Sequence, residues 1–157
     1  MIITYKLWLL RKFGDRRNEG IWLGNLGLAY TELGDFQKVI EFSDQALKIA
    51  DEISDRLNEG AWYGTFGLVY YHLNEQNKAI GFFKKQLRIA RKVGDRRGKS
   101  NALYNLGLTL GKLGYRSEAI NHVKAALKIY IQIEDPKAEK ARALLVKWLT
   151  LSNLNME

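Results

Sequence analysis

Residues 94–100 read GDRRGKS, one residue short of the G-x-x-x-x-G-K-[ST] loop whose backbone N–H groups cradle phosphates. A phosphate loop follows a buried strand, whereas RIARKV (88–93), just before Gly94, carries a helical pattern. The same stretch occurs as GDRRNEG from 14 and SDRLNEG from 54, with Glu19-Gly20 and Glu59-Gly60 in place of Lys99-Ser100. Nucleotide chemistry is therefore not expected. Other chemistry is no better supplied: His72 and His122 are the two histidines, no metal-ligand pair falls at helical spacing, and no nucleophile has an evident base partner. Neither enzyme activity, a cofactor nor a metal is expected.

The remaining question is what positions these residues. A chain of 157 residues with 46% apolar and 27% charged side chains suits one compact globular domain. With no cysteine, disulfides and thiolate sites are excluded, which fits a reducing compartment and a cytoplasmic location. The unbroken apolar run Leu7 to Leu10 is too short for a secretory core or a membrane span. The formal charge of +8 permits an anionic partner, but only clustering would argue for one.

The recurrence extends far beyond the heptapeptide. Blocks 14–53, 54–93 and 94–133 align at a period of 40, and the first shares 17 of 40 positions with each of the others. Most positions common to all three are apolar or glycine, including Gly27/Gly67/Gly107, Leu28/Leu68/Leu108 and Leu47/Leu87/Leu127, so they read as packing. Leu23, Leu26, Tyr30 and Leu33 recur at helical steps, and Ile40, Ala46, Leu47, Ile49, Ala50 and Ile53 repeat that rhythm. Between the two runs Gly34 suits a helix C-cap and Asp35 the next N-cap. At block junctions Gly14, Ser54 and Gly94 close one helix, and Asp15, Asp55 and Asp95 cap the next. Each block is thus predicted to be a helical hairpin, with helices of roughly 17 to 19 residues spanning about 26 to 28 Å. The mid-helix glycines, each costing about 1 kcal/mol against alanine, mark a close crossing of the pair. Ala46 and Ala126 are expected opposite Gly27 and Gly107, with Gln86 breaking the pattern.

The string LGNLGLAYTELGDFQKVIEFSDQALKIA (23–50) resembles the tetratricopeptide repeat, through Leu26, Gly27 and Tyr30, the Gly34-Asp35 turn, and Val39, Ala46 and Leu47. Its LGNLG core, GDRR junction and 40-residue spacing are similar to the longer variant of G-protein-regulator scaffolds and bacterial multidomain proteins. Propeller blades would need period-2 strands, and HEAT repeats lack this glycine and tyrosine placement. The resemblance implies an all-α, right-handed solenoid. Residues 1–13 look like the second helix of a repeat whose first is missing, as expected either of a piece of a longer protein or of a reading frame that begins inside an older repeat array, and the open half-repeat is a candidate for self-association. In 134–157, Asp135 as N-cap, Pro136 at the first helical position, and Ala141, Leu144, Leu145, Trp148 and Leu151 describe a capping helix.

The resemblance also implies that the first helices line a concave groove which takes a protein or peptide partner. The groove-facing stripe reads Ile21, Asn25, Leu28 and Glu32; then Ala61, Thr65, Leu68 and His72; then Asn101, Asn105, Leu108 and Lys112. Leucines flanked by amides suit an extended or helical peptide, the amides holding backbone groups. The alternative is that Leu28, Leu68 and Leu108 pack between repeats. Tyr71 and Tyr104 are expected at the groove edge, while Trp22, Trp62, Tyr63 and Tyr70 either join them or fill space between helices. Charge is uneven: the three blocks carry −4, +4 and +5. The excess lies on second helices, at Lys84, Lys85, Arg88, Arg91, Lys92, Lys124 and Lys128, the convex back of such a fold. A solvated face is the plainer reading, and nucleic-acid or anionic-surface binding through this back stays as a further alternative, with no recognised nucleic-acid motif beside the charge. Corner arginines Arg16, Arg17, Arg56, Arg96 and Arg97 are expected to pair with acids such as Asp51 and Glu52. A further reading makes the chain the sensing or oligomerisation part of a larger regulatory protein.

Overall fold

Each 40-residue period folds as two helices, and the corner that opens it is built from a residue that ends one helix and an aspartate that caps the next. In the computed structural model, which describes residues 2–154, the elements are α1 (Ile2–Lys12), α2 (Arg16–Glu32), α3 (Phe36–Glu52), α4 (Arg56–His72), α5 (Gln76–Val93), α6 (Arg96–Lys112), α7 (Arg116–Gln132) and α8 (Lys137–Leu154). Met1 and residues 155–157, included in the expected first and last helices, lie outside the described residues, as does the side chain of Leu151. At the corners before α2, α4 and α6, the Asp15, Asp55 and Asp95 carboxylates accept from the backbone N–H of Asn18, Asn58 and Gly98 at 3.2, 3.2 and 2.9 Å. The residue before each aspartate turns left-handed, with φ of +69° at Gly14, +56° at Ser54 and +74° at Gly94. Glycine takes that conformation without a Cβ penalty, and Ser54 shows that the corner forms even where the penalty is borne. Within hairpins only Asp35 repeats the side-chain cap, bonding the Lys38 N–H at 3.2 Å; Glu75 and Tyr115 at its equivalents make none.

Hairpins α2/α3, α4/α5 and α6/α7 stack in chain order, and α8 lies against α7. No strand occurs among the described residues. The larger apolar core runs from α5 to α8 around Phe83, Leu106, Val123 and Tyr130, continuing into α8 through Ala141, Leu145 and Trp148. A smaller one joins α2, α3 and α4 through Leu23, Ala46, Ile49 and Trp62. The α8 helix begins at Lys137, one residue later than expected, because Asp135 accepts from the Lys137 N–H at 2.9 Å and holds Pro136 in the turn before it.

The mid-helix glycines do mark close crossings, but against other residues than expected. A Cβ on Gly27 would stand 3.1 Å from Ser43 Oγ, one on Gly67 2.3 Å from the Phe83 ring, and one on Gly107 2.5 Å from Val123 and 3.0 Å from the Ala119 carbonyl. The helices cross one turn from Ala46 and Ala126, so Ala46 sits closer to Gly20, and Gln86 packs on Gly64.

Corner arginines stitch successive hairpins together. Glu19, 2% exposed, takes Arg11 at 2.7 Å and Arg16 at 2.5 Å, and Arg16 also reaches Glu52. Arg56 repeats this with Glu59 at 2.5 Å and Asp51 at 3.5 Å. Arg17 meets Asp55 at 3.2 Å and Arg97 meets Asp135 at 3.4 Å. In the third corner Lys99 replaces the buried glutamate, and Arg96 turns instead to Gln132. Ser100 takes the place of Gly20 and Gly60, fully buried, with its hydroxyl donating to the Arg97 carbonyl at 2.9 Å.

Candidate partner-binding groove

A helix stripe at steps of four, three and four presents one face, and stacking three such helices sets three faces side by side. Across α2, α4 and α6 a concavity of about 550 Å³ brings together Leu28, Ala61, Thr65, Leu68, Asn101 and Asn105 from the expected stripes, with Tyr104 at its side. Leu28 is 42% and Leu68 37% exposed, so both leucines present apolar surface to solvent. Leu108 is half-buried and does not line the concavity. Thr65 is buried, its hydroxyl turned back to the Ala61 carbonyl at 3.4 Å, so it contributes a methyl rather than a free donor.

Asn101 is held by two neighbours. Its side-chain oxygen accepts from the Tyr130 hydroxyl at 2.9 Å and from Lys137 Nζ at 2.8 Å, leaving its amide N–H groups to offer outward. Burial, with the Asp135 charge nearby, pushes the Tyr130 phenol well above its ordinary value, so it stays a donor. Asn105 makes no side-chain hydrogen bond with a described residue. Lys137 and Lys140 supply positive charge at the rim, and no aspartate or glutamate lines the concavity.

Apart from Trp62, the other expected residues lie away from this cavity. Ile21 lines a small cleft with Asp55, Asn58 and Trp62, while Asn25 and Glu32 face solvent. His72 stacks on Phe36 at 5.8 Å and meets Tyr71 edge-on. Lys112 donates to Asn74 at 2.7 Å and sits 4.8 Å above the Tyr71 ring, so those three belong to a neighbouring surface. Trp62 serves both core and concavity: its buried indole covers Gly24, where a Cβ would stand 1.9 Å from the ring, and it also lines the concavity. Tyr63 and Tyr70 stack on Phe82 across their hairpin, and Trp22 lies under Lys6.

Sequence reasoning missed Tyr130, Gln86, Lys137 and Lys140 because they stand on second helices or on α8. Tyr130 had a signal: its equivalents at the 40-residue period are Ala50 and Ala90, so one enlarged side chain marks where the groove gains an organiser.

Among the described residues no group of three or more His, Cys, Asp or Glu could hold a metal, and no helix is long and apolar enough to cross a membrane. His122 lies away from the concavity, on α7. Burial pushes its imidazole below the ordinary 6.5; Glu118 opposes this, and Lys84 and Arg91 on α5 add to it. The folded state then binds fewer protons than the unfolded chain, so the His122 share of stability is intact above about pH 6.5 and is lost as pH falls toward the depressed folded value. Urea melts at stepped pH are expected to show this loss in the wild type and less of it in His122→Gln; identical slopes would refute the assignment.

A family model described as tetratricopeptide repeat matches residues 18–92 and 63–132. Among curated proteins, none matches the chain significantly by sequence. Among solved structures, aspartyl phosphate phosphatase F from Bacillus subtilis is similar with a TM-score of 0.83 and 19% identity, over 90% of this chain and 38% of that one. The apo form of RapI gives 0.86 and 17%, over 98% and 57%. A signal-transduction ATPase with numerous domains and a tetratricopeptide repeat sensor, from Pyrococcus horikoshii, gives 0.72 and 22%, over 98% and 28%. The chain therefore spans 38% and 57% of the first two structures, and the likeness to all three concerns the fold.

Proposed function

Because the chain belongs to the tetratricopeptide repeat family, we propose that it is a protein-interaction module whose concave groove receives a peptide or segment of a partner protein. The observation that carries this reading is the joining of two exposed leucines, Leu28 and Leu68, with the outward N–H groups of Asn101 and the uncommitted amide of Asn105 in one concavity. Apolar side chains of the guest meet the leucines, and its backbone carbonyls accept from the amides, which fixes register. Lys137 and Lys140 favour a segment carrying a carboxylate at that end. The function is equilibrium binding, with 14–53, 54–93 and 94–133 as the repeats between the half-repeat 1–13 and the closing helix 134–157. Freedom from cysteine suits a cytoplasmic setting.

Selection of a random peptide display library on the protein tests this. The expected enriched sequences carry a recurrent apolar anchor and bind wild type in preference to Leu68→Glu. No enrichment, or sequences that bind both proteins equally, would remove the groove from the proposal.

A second reading is favoured by the fold match along 98% of the chain to an ATPase that bears a tetratricopeptide repeat sensor. It makes the groove the sensing surface of a larger regulatory chain. Coding sequence running in frame upstream of Met1 into a nucleotide-hydrolysing domain would support it; an in-frame stop codon there would count against it.

A further inference from the structure

We propose that the face opposite the groove carries a second docking site, a basic trough walled by α5 and α7 and floored by α6, which receives an acidic amphipathic helix of a partner protein. Two concavities, of about 500 and 530 Å³, meet at Arg91. Arg96, Lys99 and Lys128 rim the first above Leu103 and Ile129. Lys84, Arg88 and Lys92 rim the second above Leu87 and Leu106. No aspartate or glutamate lines either one.

Packing does not demand this charge. Lys84, Arg88, Arg91 and Lys92 stand at the 40-residue equivalents of Asp44, Lys48, Asp51 and Glu52, three of them acids, and α3 forms the same kind of hairpin with them. Those three acids are paired, Asp44 with Lys48, Asp51 with Arg56 and Glu52 with Arg16. In contrast, Lys84, Arg88, Arg91, Lys92, Lys99 and Lys128 enter no ion pair with a described residue. Like charges at i and i+4, as in Lys84, Arg88 and Lys92, repel, so the folded chain carries an uncompensated cost that an anionic partner would relieve. The Lys99 that separates GDRRGKS from the earlier corners belongs to this rim.

The floor decides what kind of anion fits. Leu87, Leu103 and Leu106 at the base are buried core, so apolar contact comes from half-buried Ile129 and the aliphatic stems of the rim lysines and arginines, which suit a helix whose Asp and Glu side chains reach the charged heads. Nucleic acid would satisfy the rim but find no Phe, Tyr or Trp on which to stack its bases, half-buried His122 being the one ring among the lining residues. Lys84 to Lys92 spans about 12 Å of α5, the length of about two turns of a partner helix.

The test is a display library of helices, apolar at i, i+3, i+4 and i+7 and Asp or Glu elsewhere, selected on the full chain beside a short oligothymidylate and phosphatidylserine-containing vesicles. Enriched acidic helices are expected to bind less tightly as salt rises, and to lose about tenfold or more in affinity to Arg91→Glu/Lys128→Glu. The milder Arg91→Gln/Lys128→Gln is expected to fall between, with circular dichroism of both variants unchanged. Leu68→Glu is expected to leave this binding intact, which separates it from the groove. The proposal is overturned if no acidic helix is enriched, if enriched helices bind the double variants as tightly as wild type, if oligothymidylate or vesicles prove the preferred ligand, or if the trough merely supports salt-sensitive self-association.

Discussion

Phe83→Ala is expected to cost about 3–5 kcal/mol of stability, a large part of the roughly 5–15 kcal/mol that holds a typical domain folded. Its ring is fully buried in the larger core and occupies the space over Gly67 that a side chain would otherwise claim. Truncation leaves a cavity between α4 and α5 that neither helix can close without moving its neighbour. Thermal melting followed by circular dichroism should show a fall on the order of 10 °C; a fall within a degree or two of wild type would mean that the hairpin crossing is not where the structure puts it. Two glycines provide the control. Gly81 has open space around it on α5, so Gly81→Ala is expected to gain about 0.5–1 kcal/mol from helix propensity. Gly107→Ala gains the same term but presses its methyl onto Val123 and a backbone carbonyl, where overpacking costs about 1–3 kcal/mol. Opposite signs for chemically identical changes are the signature of a close crossing.

Leu68→Glu is expected to weaken binding of a groove-selected peptide by tenfold or more, about 1.4 kcal/mol per factor of ten, with the melting temperature near wild type. The carboxylate would have to shed its water inside the interface, whereas in the free protein it reaches solvent because Leu68 is already 37% exposed. Asn105→Ala should weaken the same peptide less, since it removes one polar contact while leaving the apolar ridge. Asn101→Ala is a poorer probe: it also strands the Tyr130 hydroxyl and frees Lys137, mixing recognition with local reorganisation. Isothermal titration alongside circular dichroism separates the outcomes. If both Leu68→Glu and Asn105→Ala unfold the protein, the leucine stripe is core rather than groove.

How far the sequence led varies from residue to residue. The corners were legible because capping is local chemistry: an aspartate reaches its own helix's third residue whatever the rest of the chain does. Corner ion pairs were legible only in part: Arg16–Glu19 and Arg56–Asp51 lie within a turn or so of chain, but Arg16–Glu52, Arg17–Asp55 and Arg97–Asp135 join successive hairpins, and Arg96 meets Gln132 rather than an acid. The glycine crossings were legible in kind but not in partner. Periodicity gives the face a residue occupies; the offset between two helices is set by how their ridges interdigitate, and that shifted the contacts of Gly27 and Gly107 by one turn. The aromatic residues were least legible. Trp62 and Tyr104 both fall on first helices and both line the groove, yet Trp62 is also buried as the filler of a gap over Gly24.

By itself the sequence determined the helices and their corners, because each depends on contacts within a turn or two of chain, and its 40-residue repeat marked three like hairpins, from which the family resemblance implied the solenoid. Only the tertiary structure decided which members of the repeated stripes share one cavity, that Asn101 is turned by Tyr130 and Lys137, and that the basic residues of α5 converge with Lys99 and Lys128 on a single trough. Most of those groupings, such as Asn101 with Tyr130 and Lys137 or Arg91 with Lys128, join residues about thirty or more apart in the chain, and their distances follow from the stacking of whole hairpins, which no local spacing encodes.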